Sequence, residues 1–277
     1  MIAVLISTYN GEKYISEQIE SILHQSKQDF KIYVRDDGST DSTISILKQY
    51  TDNYPQMIQL LNDVVKHRGP SQSFLWLLSN VGSEYYMFCD QDDVWLPNKI
   101  KISYEAIVRE EKKNTNIPIL VHTDMKIVNE NSELISGSLY RTMNIKTKII
   151  DNSFNFMGVC SCGPGCSMLF NRKARDISIA YDDLSDTPMH DWWVAINTLK
   201  KGRVVFVPTP TMLYRQHQSN TVGASNVDLI YLINKVINLR QTLSPYTQDM
   251  VWLRKVGYGS MAKYLFFKLA YYIIRLF

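Results

Sequence analysis

Tyr85-Tyr86-Met87-Phe88-Cys89-Asp90-Gln91-Asp92-Asp93-Val94-Trp95 joins a continuous apolar and aromatic run to three carboxylates within four positions. The apolar half reads as a buried strand, parallel to its neighbours and covered on both faces. Side chains alternate between the faces of a strand, so Asp90 and Asp92 can leave its end in the same direction. Two carboxylates fixed there by a rigid sheet make an oxygen-rich site for a hard divalent cation and the phosphates it carries. Acidic clusters also occur as solvated turns and helix caps, and spacing alone leaves both readings open.

Upstream of this stretch, strand, loop and helix alternate. Ile2 to Ile6 reads as a buried strand followed by Ser7-Thr8-Tyr9-Asn10-Gly11, after which Tyr14, Ile15, Ile19, Ile22 and Leu23 recur at helical spacing. Phe30 to Val34 is a second strand. It ends in Arg35-Asp36-Asp37-Gly38-Ser39-Thr40-Asp41-Ser42, with capping residues ahead of a helix that carries Ile44, Ile46 and Leu47. Met57 to Leu61 and Phe74 to Leu78 supply a third strand and its helix. This alternation predicts an α/β fold on an open, mostly parallel sheet, whose ligands bind at the carboxyl ends of the strands. The polar clusters all fall at those ends. None is a Gly-x-Gly-x-x-Gly turn or a Gly-Lys-Ser/Thr loop, which argues against a glycine-rich phosphate cradle. Tyr9 could stack on a planar base, and Asp37 could accept hydrogen bonds from a base or ribose. The plainer readings make them a packing aromatic and a turn residue.

The 277 residues are 45% hydrophobic, enough for one sizeable core with an appendage. A net charge of +3 gives no reason to expect a nucleic-acid partner, although seven Lys/Arg against two Asp from residue 226 onward concentrate the basic balance in the tail. Cys89, Cys160, Cys162 and Cys166 form no Cys-x-x-Cys pair and have no His at zinc spacing. They read as reduced core residues of a cytoplasmic protein. No signal peptide is expected ahead of the first strand, and no apolar run is long enough to predict a transmembrane helix.

Ser7-Thr8-Tyr9-Asn10, Asp36-Asp37-Gly38-Ser39-Thr40-Asp41 and Asp90-Gln91-Asp92-Asp93 together resemble, in order and spacing, the three signatures of family 2 glycosyltransferases with the GT-A fold. The resemblance runs from Met1 to about Gly223. It implies a catalytic domain over 1–225, with a nucleotide-sugar half (1–120) and an acceptor half (121–225). It further implies that Ser7 lies on the donor side and that Tyr9 and Asp37 hold the base. Asp90 would then sit on the ribose side, and Asp92 would bind Mg²⁺ or Mn²⁺ on the diphosphate.

In the acceptor half, Val121-His122-Thr123-Asp124 reads as the end of a strand, and Asp124 is a weak acceptor-side candidate. Gly158 to Met168 is crowded with small residues, which suits tight packing and also close approach of backbone to a ligand. Asp186-Thr187-Pro188-Met189-His190-Asp191-Trp192-Trp193 opens the helical run Val194 to Leu199, where a carboxylate is ordinarily a cap. Inverting sugar transfer needs one base to deprotonate the acceptor hydroxyl. The family places it in a Glu-Asp pair opening this helix, and here the pair is His190-Asp191, similar to a rhamnosyltransferase-like branch. The resemblance thus implies Asp191 as base, with His190 beside it tuning it or touching acceptor. One of Trp192 and Trp193 would offer a flat face to sugar while the other packs in the core. Arg203 to Val207 reads as a strand, and the later Arg215-Gln216-His217 resembles the family's Arg-x-His element. There His217 completes the cation site and Arg215 turns its fork of donors to the diphosphate.

From Leu229 the pattern becomes apolar helical segments with cations: Leu232, Ile233, Val236, Ile237 and Leu239, then Tyr264 to Phe277. Lys263, Lys268 and Arg275 interrupt the last run, which fits an amphipathic interfacial helix better than a spanning one. Residues 226–277 are therefore expected to be a helical extension on the membrane surface, with the protein peripheral on the inner face of the cell membrane. Packing on the catalytic domain, or on a second copy in a homodimer, is the other reading. In sum, the resemblance implies an inverting, metal-dependent glycosyltransferase. The segments around Asp90 and Asp191 resemble bacterial rhamnosyltransferases of surface polysaccharide synthesis, which implies dTDP-L-rhamnose as donor and a lipid-linked saccharide as acceptor. A UDP-hexose is the alternative donor. From other classes, a nucleotidyltransferase would need a Gly-rich, Arg/Lys-bearing loop after the first strand, which is missing. A non-catalytic nucleotide-sugar-binding module could lose Asp92, Asp191 or His217, and all three are present.

Overall fold

Helices cover both faces of one sheet, which is why its strands are apolar on both sides. The computed structural model describes residues 1–217 and 239–276, and side chains for 1–217 and 246–275. The first half alternates as the sequence predicts: β1 (Ile2–Thr8), α1 (Ile15–Leu23), β2 (Phe30–Asp36), α2 (Thr43–Asn53), β3 (Ile58–Leu61), α3 (Gly69–Asn80) and β4 (Tyr85–Cys89). β1 pairs in parallel with β2 and β4, and β2 with β3. The parallel ladder carries β1 and β2 two residues beyond their apolar runs, because Ser7↔Arg35 and Thr8↔Asp36 remain paired. Polar signature residues are thus fixed on strand ends.

The two-residue β5 (Val94–Trp95) and α4 (Lys99–Lys113) follow, then β6 (Ile119–Val128) and β7 (Leu134–Ser136). Three one-turn helices come next: α5 (Leu139–Thr142), α6 (Thr147–Ile150) and α7 (Phe154–Met157). β8 (Met168–Asn171), α8 (Arg172–Ile179), α9 (His190–Lys201) and β9 (Arg203–Arg215) complete this part. The sheet order is β3-β2-β1-β4-β8-β6-β9-β5, with β7 on β6. β8 runs antiparallel to both β4 and β6, so the second half of the sheet is mixed. β6 does not end at Asp124 but continues to Val128, and β9 does not stop at Val207. Pro208 and Pro210 hid that continuity; the pairing of β6 with β9 shifts register around Thr123 and Asp124, where such residues are tolerated.

The helices α10 (Leu239–Lys255) and α11 (Met261–Leu276) are built into the same body. Trp252, Leu253, Tyr258, Tyr264 and Tyr271 share a hydrophobic cluster with Leu5, Phe88 and Trp193. A Cβ on Gly158 would stand 2.1 Å from the Tyr258 ring, so that glycine is what lets the C-terminal segment approach. The inner face of α11 therefore packs on the sheet-bearing part, while Phe266 (66%), Leu269 (60%) and Ile273 (48%) stay exposed on its outer face. Leu232, Ile233, Val236 and Ile237 lie outside the described residues. Among those described, no helix is long and apolar enough to cross a membrane.

Candidate active site

A cavity of about 1620 Å³ opens at the carboxyl ends of β1, β2 and β4, and Ser7, Tyr9, Asp37, Asp90, Asp92, His190, Asp191, Trp192 and His217 all line it. Arg215 and Trp193 do not.

At the β2 end, the fully buried Arg35 organises the loop. Its guanidinium donates to Asp37 (2.8 Å), Asp63 (2.9 Å), Ser73 (2.7 Å) and the Val65 carbonyl (2.7 Å). Asp37 also accepts the N–H groups of Arg68 (2.9 Å) and Gly69 (2.8 Å). Burial alone would raise the Asp37 pKa, but the Arg68 N–H, the Arg35 guanidinium and the Gly69 N–H outweigh it and hold the carboxyl below its ordinary value. Asp37 is therefore a fixed anion on the cavity wall. Asp36 is spent within the turn, accepting from Thr8 (2.9 Å) and from the N–H groups of Gly38 (2.9 Å) and Ser39 (2.9 Å). Tyr9 is 49% exposed, so its ring is not a core aromatic. Gln91 ties the first signature to the third, accepting from the Tyr9 N–H (2.9 Å) and donating to the Tyr9 carbonyl (3.1 Å).

The acidic end is assembled by β5. Val94 pairs with Leu213, which brings the loop after β4 against the end of β9. His217 Nε2 and Asp92 Oδ2 then lie 2.9 Å apart, with the imidazole stacked on Tyr14 at 5.2 Å. Burial and the neighbouring Asp92 charge push Asp90 up to about 7. Asp93, part of the quoted signature but given no role of its own there, is pushed well above the carboxylate range by burial, Asp92 and Asp90, and its Oδ2 has no oxygen or nitrogen partner. Asp90, Asp93 and Cys166 converge with their ligand atoms within 4.8 Å of one another. Crowded carboxylates with an uncompensated charge, faced by an imidazole, fit a hard divalent cation.

Arg215 is placed differently from the expectation that it faces a diphosphate. Strand alternation puts Tyr214 on the cavity and turns Arg215 away. Its guanidinium reaches Glu17 (2.6 Å), the carbonyls of Asp92 (2.9 Å) and Glu130 (2.9 Å), and Ser132 (2.8 Å). It anchors the backbone that carries Asp92.

On the remaining wall, Asp191 opens α9. Its Oδ2 accepts the Gly165 N–H (2.9 Å) and its Oδ1 the Trp192 N–H (2.6 Å). Burial pushes its pKa up to about 6, against the lowering effect of those two N–H groups. A Cβ on Gly165 would meet His190 Nε2 at 2.8 Å and Asp191 Cβ at 3.1 Å, which accounts for a small residue there. His190 lies between aromatic rings, stacked on Phe74 at 4.1 Å and edge-on to Phe88 at 4.5 Å. Burial pulls its pKa down to about 3, and neither ring nitrogen has a hydrogen-bond partner, so it is a neutral group beside the base. Trp192 is half-buried on the cavity, whereas Trp193 is fully buried and donates to the Ser178 carbonyl (2.7 Å). Asp124 is occupied with Ser138 (2.5 Å) and the Met125 N–H (2.8 Å), which leaves it a structural residue.

The chain is 30% identical over 229 residues to "dTDP-rhamnosyl transferase RfbG" of Shigella flexneri, covering 79% of this chain and 74% of that protein. It is 31% identical over 131 residues to "Minor teichoic acid biosynthesis protein GgaA" of Bacillus subtilis, covering 46% of this chain and 29% of that protein. Among solved structures, S. aureus TarS in complex with UDP-GlcNAc superposes with a TM-score of 0.60 at 18% identity, over 81% of this chain and 62% of that one. The mannosyltransferase PcManGT from Pyrobaculum calidifontis, in complex with GDP-Man and Mn2+, gives a TM-score of 0.57 at 14% identity over 99% of this chain and 85% of that one. These neighbours share the GT-A fold. The family model of Glycosyl transferase family 2 matches residues 3–177. A match over well beyond half of the sequence, on the same strand ends that build the cavity, shows that the chain belongs to glycosyl transferase family 2.

Proposed function

We propose that the protein is an inverting glycosyltransferase that moves L-rhamnose from dTDP-L-rhamnose to a hydroxyl of a lipid-linked saccharide. The observation that carries this reading is a single cavity holding both the Asp92–His217 pair and the raised-pKa Asp191. Asp92, His217 and Asp90 would hold Mg²⁺ or Mn²⁺, which when bound supplies electrostatic stabilisation of the departing nucleoside diphosphate. Tyr9 offers its exposed ring to the base, and Asp37 presents a fixed acceptor to base or ribose. Asp191 takes the proton of the attacking hydroxyl. Its carboxylate is already orientated by two backbone N–H groups, so little ordering remains to be done at reaction. Phe74, the neutral His190 and Trp192 give the sugar an uncharged, largely aromatic wall. The similarity to a dTDP-rhamnosyl transferase supports the same donor. Product analysis with dTDP-L-rhamnose, UDP-glucose and UDP-galactose in the presence of Mn²⁺ tests it. Turnover of a UDP-hexose without turnover of dTDP-L-rhamnose would overturn the donor assignment.

The raised pKa of Asp191 sets a pH dependence. The working form is the carboxylate, so transfer is full well above pH 6 and falls as pH drops through about 6. Below it the rate should fall about tenfold per pH unit. A pH profile of kcat/KM that stays flat from about 5 to 8 would remove Asp191 as the base.

The exposed stripe of Phe266, Leu269 and Ile273, in a tail rich in Lys and Arg, supports a peripheral position on an anionic bilayer. Removing α11 would also remove Tyr264 and Tyr271 from the core, so point changes are the cleaner test. Phe266→Ser, Leu269→Ser and Ile273→Ser should each weaken vesicle flotation by about tenfold, the scale of one buried apolar side chain. Undiminished flotation of the triple variant would end the membrane reading.

A further inference from the structure

The face of α11 opposite the exposed stripe forms a second wall of the cavity. Tyr271 and Arg275 stand one helical turn apart on it, while Phe266, Leu269 and Ile273 project from the other side. Tyr271 is 2% exposed, and its phenol has no oxygen or nitrogen partner, only the weakly accepting Cys160 thiol beside it. Arg275 donates through Nη2 to the Met143 carbonyl, while its buried Nε is also without a partner. A guanidinium N–H without an acceptor, beside a phenol with only a thiol to meet, is an arrangement folded proteins ordinarily avoid unless something accepts there. The charge of the cavity is lopsided as well. Asp37, Asp90, Asp92 and Asp191 line it, and Lys13, the other cation there, is engaged by Glu130 (3.2 Å). Among the described residues, Arg275 is thus the Lys or Arg placed to receive an anion at this wall, and its planar fork matches phosphate oxygens.

We propose that Tyr271 and Arg275 form a subsite for a phosphate ester, namely the phosphate or diphosphate that joins the acceptor's saccharide to its lipid. This rests on reading the protein as a glycosyltransferase with a lipid-linked acceptor, and it assigns to α11 a reason for its two faces. The apolar stripe meets the bilayer, where the lipid remains. The inner face takes the first charged group beyond the lipid and so delivers the saccharide toward Asp191.

The test uses the full-length chain in EDTA, so that no cation at Asp92 competes for phosphate. Isothermal titration with citronellyl diphosphate, a soluble short prenyl diphosphate, should show binding to the wild type and none to citronellol. Arg275→Gln should weaken it by roughly ten- to a hundredfold, the scale of a charge-assisted hydrogen bond, with Arg275→Lys in between. Tyr271→Phe keeps the ring in the core and removes only the oxygen; it should weaken binding about three- to tenfold, and it carries the test if Arg275→Gln fails to fold. Equal binding by wild type, Arg275→Gln and Tyr271→Phe would overturn the subsite, as would equally tight binding of citronellol. Flotation on phosphatidylglycerol vesicles separates the two sources of phosphate. Arg275→Gln should float as the wild type does; if instead it floats less while its diphosphate binding is unchanged, Arg275 reads bilayer headgroups and the proposal falls. Cation-dependent hydrolysis of dTDP-L-rhamnose or a UDP-hexose by the wild type tests the glycosyltransferase reading separately. Hydrolysis without citronellyl diphosphate binding sinks the subsite alone, and binding without hydrolysis sinks the transferase reading alone.

Discussion

Asp191→Asn is expected to bind nucleotide with the wild-type response to Mn²⁺ while transferring sugar about 10²–10⁴ times more slowly, the usual cost of losing a general base. The substitution keeps volume and shape, so the change falls on proton affinity. It also has a structural consequence that must be measured beside the rate. Asp191 accepts one backbone N–H on each oxygen, from Gly165 and from Trp192. An amide has a single oxygen, so one of those N–H groups loses its acceptor, at about 1–3 kcal/mol. A modest fall in Tm is therefore part of the expectation, and rates belong well below the melting range. Asp191 lines the same cavity as the acidic end but is engaged by Gly165 and Trp192, so the affinity for nucleotide and Mn²⁺ should stay put. Sugar transfer at close to the wild-type rate would mean that another group accepts the proton.

The part of this cavity built from β1, β2 and β4 was legible because its information is local. β1, β2 and β4 are contiguous apolar runs, and each hands directly to the polar residues that the sheet then holds in place. What stayed hidden depends on partners far along the chain. Arg35 reads as one more charge in a polar loop until Asp63 and Ser73, 28 and 38 residues later, fold against it. The direction of Arg215 could not be read while the prolines at 208 and 210 appeared to end the strand, because strand phase is what turns Tyr214 inward and Arg215 outward. The meeting of Asp92 with His217, 125 residues apart, was expected from a family resemblance and not from spacing. His190 shows the same limit. From sequence it was a neighbour of the base, tuning it or touching acceptor, and its packing between Phe74 and Phe88 as a neutral ring could not be read from that position. The tail was half legible: cations within an apolar run marked two faces, but only the fold shows the inner one completing the cavity.

Asp92→Ala should abolish both Mn²⁺-dependent nucleotide binding and transfer, yet leave the fold in place. The backbone at this position is gripped independently of its side chain, since Arg215 holds the Asp92 carbonyl and its own N–H is taken by Asp93. The loop therefore stays where it is when the carboxylate goes. The lost hydrogen bond to His217 is offset by relief of like-charge repulsion, because Asp92 is one of the groups that push Asp90 and Asp93 upward. Metal-free variant and wild type should then melt within ~2 °C of each other, a difference of about 1 kcal/mol at this size. With Asp92 gone, Asp90 ionises more readily, but alone with His217 it offers the cation one carboxylate where two stood. Charge stabilisation by a bound metal is worth several kcal/mol, so transfer should fall on the order of 10³-fold or more. Titration of Mn²⁺ by electron paramagnetic resonance, with and without nucleoside diphosphate, reads the loss directly. A variant that still bound Mn²⁺ with wild-type affinity would show that the ion sits elsewhere, and the Asp90–Asp93–Cys166 cluster behind it would be the next place to look.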